Sequence, residues 1–192
     1  MKTVFFDVDT QFDFLLPAGA LYVPGAERVI DNIGALNRYA GAHAFPVVST
    51  MDAHAEDDPE FRDWPHHCVA GTLGQHKPAE TLLEKRVVVR NAPGEVVIAP
   101  QMLVEKQTFD CFTNVNLAAI LDELRADRYV VYGVVTEICV KLAAFGLLKT
   151  GKRVEIVSDA VRSLSDQASA KMLAEFTAAG GVLATVATIL GS

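Results

Sequence analysis

A thiol nucleophile, a carboxylate that takes its proton and a cation between them are sufficient for covalent acyl-transfer chemistry. The chain offers three cysteines: Cys68, Cys111 and Cys139. Cys139 stands two residues inside a predicted helix that follows the apolar run Tyr129 to Val134. At that place backbone N–H groups and the positive helix end favour a thiolate. A lone cysteine in an Ala/Val/Leu-rich helix is equally a small buried hydrophobe. Cys68 lies in a loop among histidines and Cys111 beside Asp110 and Phe112, so spacing alone leaves all three thiols open. Asp9 follows a nearly apolar run, and a carboxylate at the end of a buried strand calls for a partner or a purpose. Lys106 stands after another short apolar stretch. A second group is Asp52, His54 and His67. One carboxylate and two imidazoles suit zinc, manganese or iron with positions left open.

These side chains need elements to bring them together. Thr3-Val4-Phe5-Phe6-Asp7-Val8 reads as a buried first strand, and a short loop with Phe12, Phe14 and Pro17 follows. Val29, Ile30, Ile33, Leu36 and Tyr39 recur at helical spacing up to Gly41, and Ala44 to Thr50 gives a second strand leading to Asp52. Residues 51 to 80 break the period. A long irregular segment directly after a strand end is expected to be functional. Short strands are predicted at Val87 to Arg90 and Val96 to Ala99, and a helix from Asn114 to Ala126 capped near Thr113. A strand at Tyr129 to Val134 precedes a helix from Glu137 to Lys149. The pattern closes with a strand at Val154 to Val157, a helix from Asp166 to Ala179 and a strand at Val182 to Thr185. Strands alternating with helices predict an α/β fold, a three-layer α-β-α sandwich with a mostly parallel sheet of about six strands.

Composition narrows the class. With 192 residues, 51% of them hydrophobic, the chain is long enough for one core, so residues 1–192 are read as a single domain. The net charge of −7 and the absence of a concentrated Lys/Arg stripe argue against nucleic-acid binding. No apolar run is long enough to span a bilayer or serve as a secretory leader. Sparse, unpaired cysteines fit a reducing, cytoplasmic location.

Five segments carry a family resemblance. Asp7-Val8-Asp9-Thr10-Gln11-Phe12-Asp13-Phe14 resembles the D-x-Q-x-D-F opening of the isochorismatase-like cysteine hydrolases, which include nicotinamidases and N-carbamoylsarcosine amidases. Gly133-Val134-Val135-Thr136-Glu137-Ile138-Cys139-Val140 is similar to their G-V-x-T-[DE]-x-C-V nucleophile motif. Lys106 before Phe109-Asp110-Cys111-Phe112 resembles the family's lysine motif. Asp52-Ala53-His54 and Trp64-Pro65-His66-His67-Cys68-Val69 resemble the D-x-H and W-P-x-H-C-V elements of the nicotinamidase branch.

The resemblance implies that Cys139 is the nucleophile, Asp9 the general base and acid, and Lys106 the cation between them. It implies an oxyanion hole from the backbone N–H groups of Val135 and Cys139, and a cis peptide between Val134 and Val135. Asp52, His54 and His67 become ligands of one divalent ion, zinc first, with manganese or iron as alternatives. Phe14, Trp64 and Phe109 become walls for a flat ring. The implied activity is hydrolysis of a small heteroaromatic amide such as nicotinamide. The alternatives are a carbamoyl or ureido amidohydrolase, or a catalytically silent ligand-binding relative. A homo-oligomer is also implied. Ala53 replaces a common tryptophan, and Phe109-Asp110-Cys111-Phe112 replaces Tyr-Ser-Gly/Ala-Phe, so the pocket is expected to differ from that of relatives.

Overall fold

A strand covered on both faces has no reason to alternate polar with apolar, and in β1 (Thr3–Val8) and β2 (Val47–Asp52) all residues are buried. The structure, a computed structural model, describes residues 1–191. The remaining strands are β3 (Arg86–Val89), β4 (Gln101–Lys106), β5 (Arg128–Val134), β6 (Arg153–Arg162) and β7 (Val182–Ala184). They form one seven-stranded sheet in the order β3-β4-β2-β1-β5-β6-β7, with every pairing parallel. Helices α2 (Ile30–Ala42) and α6 (Val186–Leu190) touch one another, as do α4 (Lys141–Leu148) and α5 (Asp166–Ala178). The remaining helices are the single turn α1 (Phe12–Leu15) and α3 (Leu117–Leu124). Among the described residues no helix is long and apolar enough to cross a membrane.

The three-layer α/β expectation stands, with seven strands where about six were expected. Val96 to Ala99 is not a strand. The strand is Gln101–Lys106, with Lys106 as its last residue, in register with Asp52 of β2. Its polar ends hid it. Gln101 is fully buried because its amide donates to Ser49 Oγ (2.8 Å) and Thr81 O (3.0 Å) while its carbonyl accepts from Leu83 N (2.7 Å). The stretch with Phe12 and Phe14 is the helical turn α1 rather than a loop. Thr113 does not cap α3. Asp110 caps a short turn at Cys111–Thr113 instead, accepting from Phe112 N at 2.9 Å, and α3 starts after it. α6, absent from the sequence reading, is stabilised by a capping box between Thr185 and Thr188.

β1 lies centrally, with β2 on one side and β5 on the other, so the connections diverge at its carboxyl end. Open α/β sheets bind ligands at such a switch point. Asp9, Asp52, Lys106 and Cys139 all lie at or just beyond this edge.

A buried polar cluster ties the long 51–80 segment to β1. Asp7 is fully buried and accepts from Thr10 Oγ1 (2.7 Å) and Ser49 Oγ (2.9 Å). Lys77, at the far end of the segment, donates to Thr10 Oγ1 (2.9 Å) and pairs with Asp7 Oδ2 (3.5 Å). Removing one member of a buried pair strands the other charge. Lys77→Met should therefore destabilise the fold by about 3–5 kcal/mol, and the Asp7→Asn/Lys77→Met double variant should recover part of the loss. Urea unfolding of the three proteins measures both effects.

Candidate active site and metal cluster

Asp9 leaves β1 with φ +50°, a left-handed conformation in which aspartate is enriched over most residues. Its N–H donates to Thr50 O (3.1 Å), and its Oδ1 accepts from Thr50 Oγ1 (2.6 Å). Oδ2 lies 2.9 Å from Lys106 Nζ. The Lys106 ammonium, fully buried, also donates to Asp52 Oδ1. Burial alone would lower the lysine pKa. Asp52, Asp9 and Cys139 outweigh it and hold that pKa well above its ordinary value, so the group stays cationic. Asp52 is pushed up by burial and by Asp9, with Lys106 opposing.

Cys139 faces the same pair. Its helix is expected to begin at Glu137. The structure instead winds Thr136–Val140 as one wide π-type turn, with α4 following. The thiolate-favouring effect of the helix start meets opposing effects. Burial raises the thiol pKa well above its ordinary value, Lys106 works against that, and hydrogen bonding to the Asp9 carboxylate adds to it. Burial thus disfavours loss of the thiol proton, and the carboxylate placed to accept that proton stands beside it. Cys68 and Cys111 are also buried, with their thiol pKa values raised chiefly by burial. Only Cys139 of the three lines the pocket described below.

Beside this group lie Asp52, His54 and His67, all buried, with ligand atoms within 4.8 Å of one another. Asp52 Oδ2 is 3.9 Å from the Nε2 of each histidine. His54 Nδ1 pairs with Asp58 Oδ2 (3.0 Å), and His67 Nδ1 with Pro65 O (2.7 Å). Both partners are acceptors, so each Nδ1 carries the hydrogen and each Nε2 presents a lone pair toward Asp52. His54 Nε2 is buried and has no hydrogen-bond partner. An orphaned buried acceptor facing a carboxylate and a second imidazole fits a divalent cation. Glu60, unremarked in the sequence reading, borders the cluster with Oε1 3.8 Å from His67 Nε2. Nothing in the spacing of an acidic loop distinguishes it from Glu56 or Asp57.

The 51–80 segment is held by side chains of the opening motif. Gln11 donates to Asp52 O and Gln75 O (both 2.9 Å) and accepts from Asp52 N (2.7 Å). Asp13 accepts from Cys68 N (2.7 Å), fixing the residue after His67. Gln11 and Asp13 stood in the motif, but their positioning work was not apparent there.

A pocket opens over Cys139. Phe14, Trp64 and Phe109 line it, together with Asp52, His67 and Val135. Trp64 and Phe109 meet edge to face at 6.0 Å, and Phe14 lies 5.5 Å from the His67 ring. Leu21, Val23, Ile138 and Leu164 complete the wall. Sequence reasoning missed these four because an aliphatic residue in a connection gives no local sign of what it faces. The Val134–Val135 peptide is cis, as the resemblance implies.

Known proteins share this architecture. The nicotinamidase of Escherichia coli (strain K12) is 27% identical over 206 residues, spanning 94% of this chain and 93% of that protein. The zinc complex of Pyrococcus horikoshii pyrazinamidase superposes with a TM-score of 0.83 at 27% identity, covering 96% of this chain and 99% of that one. PnC1 from L. infantum, solved with nicotinate, gives a TM-score of 0.80 at 27% identity over 96% and 93% of the two chains. The model of the isochorismatase domain matches residues 3–188, the span from β1 into α6 that contains every side chain of the site, and the chain belongs to that family.

Proposed function

We propose that the chain is an amidohydrolase that cleaves a small heteroaromatic amide, nicotinamide first, to the acid and ammonia through an acyl-enzyme on Cys139. The observation that carries this reading is the buried Asp9–Lys106 pair meeting the Cys139 thiol at an aromatic pocket that also contains Asp52 and His67. The similarity to nicotinamidases and to a nicotinate-bound relative supports the choice of substrate.

In this reading a flat ring enters between Phe14, Trp64 and Phe109. Asp52, His54 and His67 would hold a divalent ion, zinc first, which when bound offers a Lewis-acid contact for a ring nitrogen. Asp9 takes the thiol proton as Sγ attacks the amide carbon. Lys106 keeps the neighbouring negative charges compensated. The developing oxyanion is assigned to the N–H groups of Val135 and Cys139. Asp9 then passes its proton to the leaving nitrogen, and ammonia departs as the carbonyl re-forms on Cys139. Asp9, again a carboxylate, takes a proton from water as its oxygen attacks the thioester. The acid leaves and the thiol is restored.

Ammonia release from nicotinamide by metal-loaded protein tests the assignment. Cys139→Ala should abolish turnover, and Asp9→Asn should lower kcat by about 10²–10⁴-fold, the range for a lost general acid–base. A folded, metal-loaded protein that releases no ammonia would remove nicotinamide as the substrate. Burial, and after it Asp9 against the opposing Lys106, hold the Cys139 pKa above its ordinary value. Iodoacetamide alkylation of Cys139, followed by peptide mass, should therefore still be climbing as pH passes about 9. A plateau by neutral pH would contradict the raised thiol pKa. Asp58 orients His54 by its hydrogen bond to Nδ1. Asp58→Ala should thus weaken zinc affinity about 10–100-fold in a competition titration against a chromophoric chelator.

A further inference from the structure

Glu137 belongs to the nucleophile motif, yet no step above uses it. It is the second residue of the turn that carries Cys139. One carboxylate oxygen, Oε1, accepts from both Leu164 N and Ser165 N, each at 3.0 Å. Ser165 is in turn the N-cap of α5, accepting from Ala168 N at 3.2 Å. The same linker is tied on its other side, where Arg162 Nε donates to Pro24 O (3.1 Å), next to the pocket residue Val23.

Leu164 lines the pocket with Ile138 and Cys139 while remaining 48% exposed. It is a rim residue, and half of its surface finds no packing to fix its place. Its own N–H, bonded to Glu137, supplies a fixed point that core burial does not.

We infer that Glu137 is a positioning residue that sets the size limit of the pocket by holding Leu164 against its mouth, at a fixed offset from Cys139. The chemical consequence is selection against amides with bulkier ring substituents. The inference rests on Cys139 being the reactive group at the pocket floor. It does not depend on which amide the enzyme turns over.

The test compares two alkylating reagents on full-length, metal-loaded protein at one pH: iodoacetamide, and its N-phenyl derivative with the same leaving group. Peptide mass reports Cys139 modification. Glu137→Ala should raise the phenyl-to-unsubstituted rate ratio about tenfold, and Leu164→Ala should do the same, since loss of one apolar wall changes discrimination by that order. Because Glu137 acts through Leu164, the double variant should gain no more than either single one. Glu137→Gln, which keeps an acceptor in place, should stay within about twofold of the parent. With nicotinamide as substrate, Glu137→Ala should raise KM and leave kcat nearly unchanged. An unchanged ratio in Glu137→Ala, additive effects in the double variant, or a fall in kcat with an unchanged ratio would each overturn the inference. Should Glu137→Ala not fold, Glu137→Asp, with its carboxylate one methylene short, must shift the ratio in the same direction or the inference fails. Absence of nicotinamide turnover with the ratio shifted as expected would count against the substrate and leave the role of Glu137 standing.

Discussion

Everything at the carboxyl edge of the sheet is organised by one buried ammonium. Lys106 cannot remain charged in the interior without anionic partners, and it has two, Asp9 from the end of β1 and Asp52 from the end of β2. The strand order β4-β2-β1 makes that possible, because it places Lys106 and Asp52 in register on adjacent strands with Asp9 one strand further on. The same cation therefore compensates the carboxylate that faces the thiol and the carboxylate that faces the imidazoles. The Asp9–Cys139 group and the Asp52–histidine cluster are electrically joined through it. Any change in the charge Asp52 presents to Lys106 is felt by Asp9.

The irregular 51–80 segment would be a poor platform if it were held only by its ends. Instead the opening motif reaches into it. Gln11 completes the hydrogen bonding of Asp52 as a neighbouring strand would, Asp13 fixes the backbone after His67, and Lys77 locks the far end onto Asp7. A short parallel bridge between His54 and Val69 adds a further tie. The histidines are thus placed with nearly the precision of strand residues although they sit on a loop.

Much of this was legible in the sequence. An apolar run ending in Asp9 marks a buried strand with a carboxylate at its mouth. Asp52-Ala53-His54 marks a carboxylate and an imidazole brought together on an extended segment, and the resemblance of the segment around Cys139 singled out one thiol of three. Other features were hidden for physical reasons. β4 begins and ends in polar residues whose burial depends on partners distant in sequence, such as Ser49 and Thr81 for Gln101. Burial, Lys106 and Asp9 all act on the Cys139 thiol, and local sequence context encodes none of them. Leu21, Leu164 and Glu60 acquire their meaning from what they face, which no local pattern encodes.

The site and the pocket above it combine two kinds of residue. Asp9, Lys106 and Cys139 are buried, whereas Phe109 and Leu164 on the rim are 37% and 48% exposed. A substitution at a half-exposed position costs the fold little, while one at the floor disturbs paired charges. Mutational drift can therefore reshape the mouth of the pocket without disturbing the charges beneath it. A chain built this way can vary at its entrance while its buried charges stay fixed.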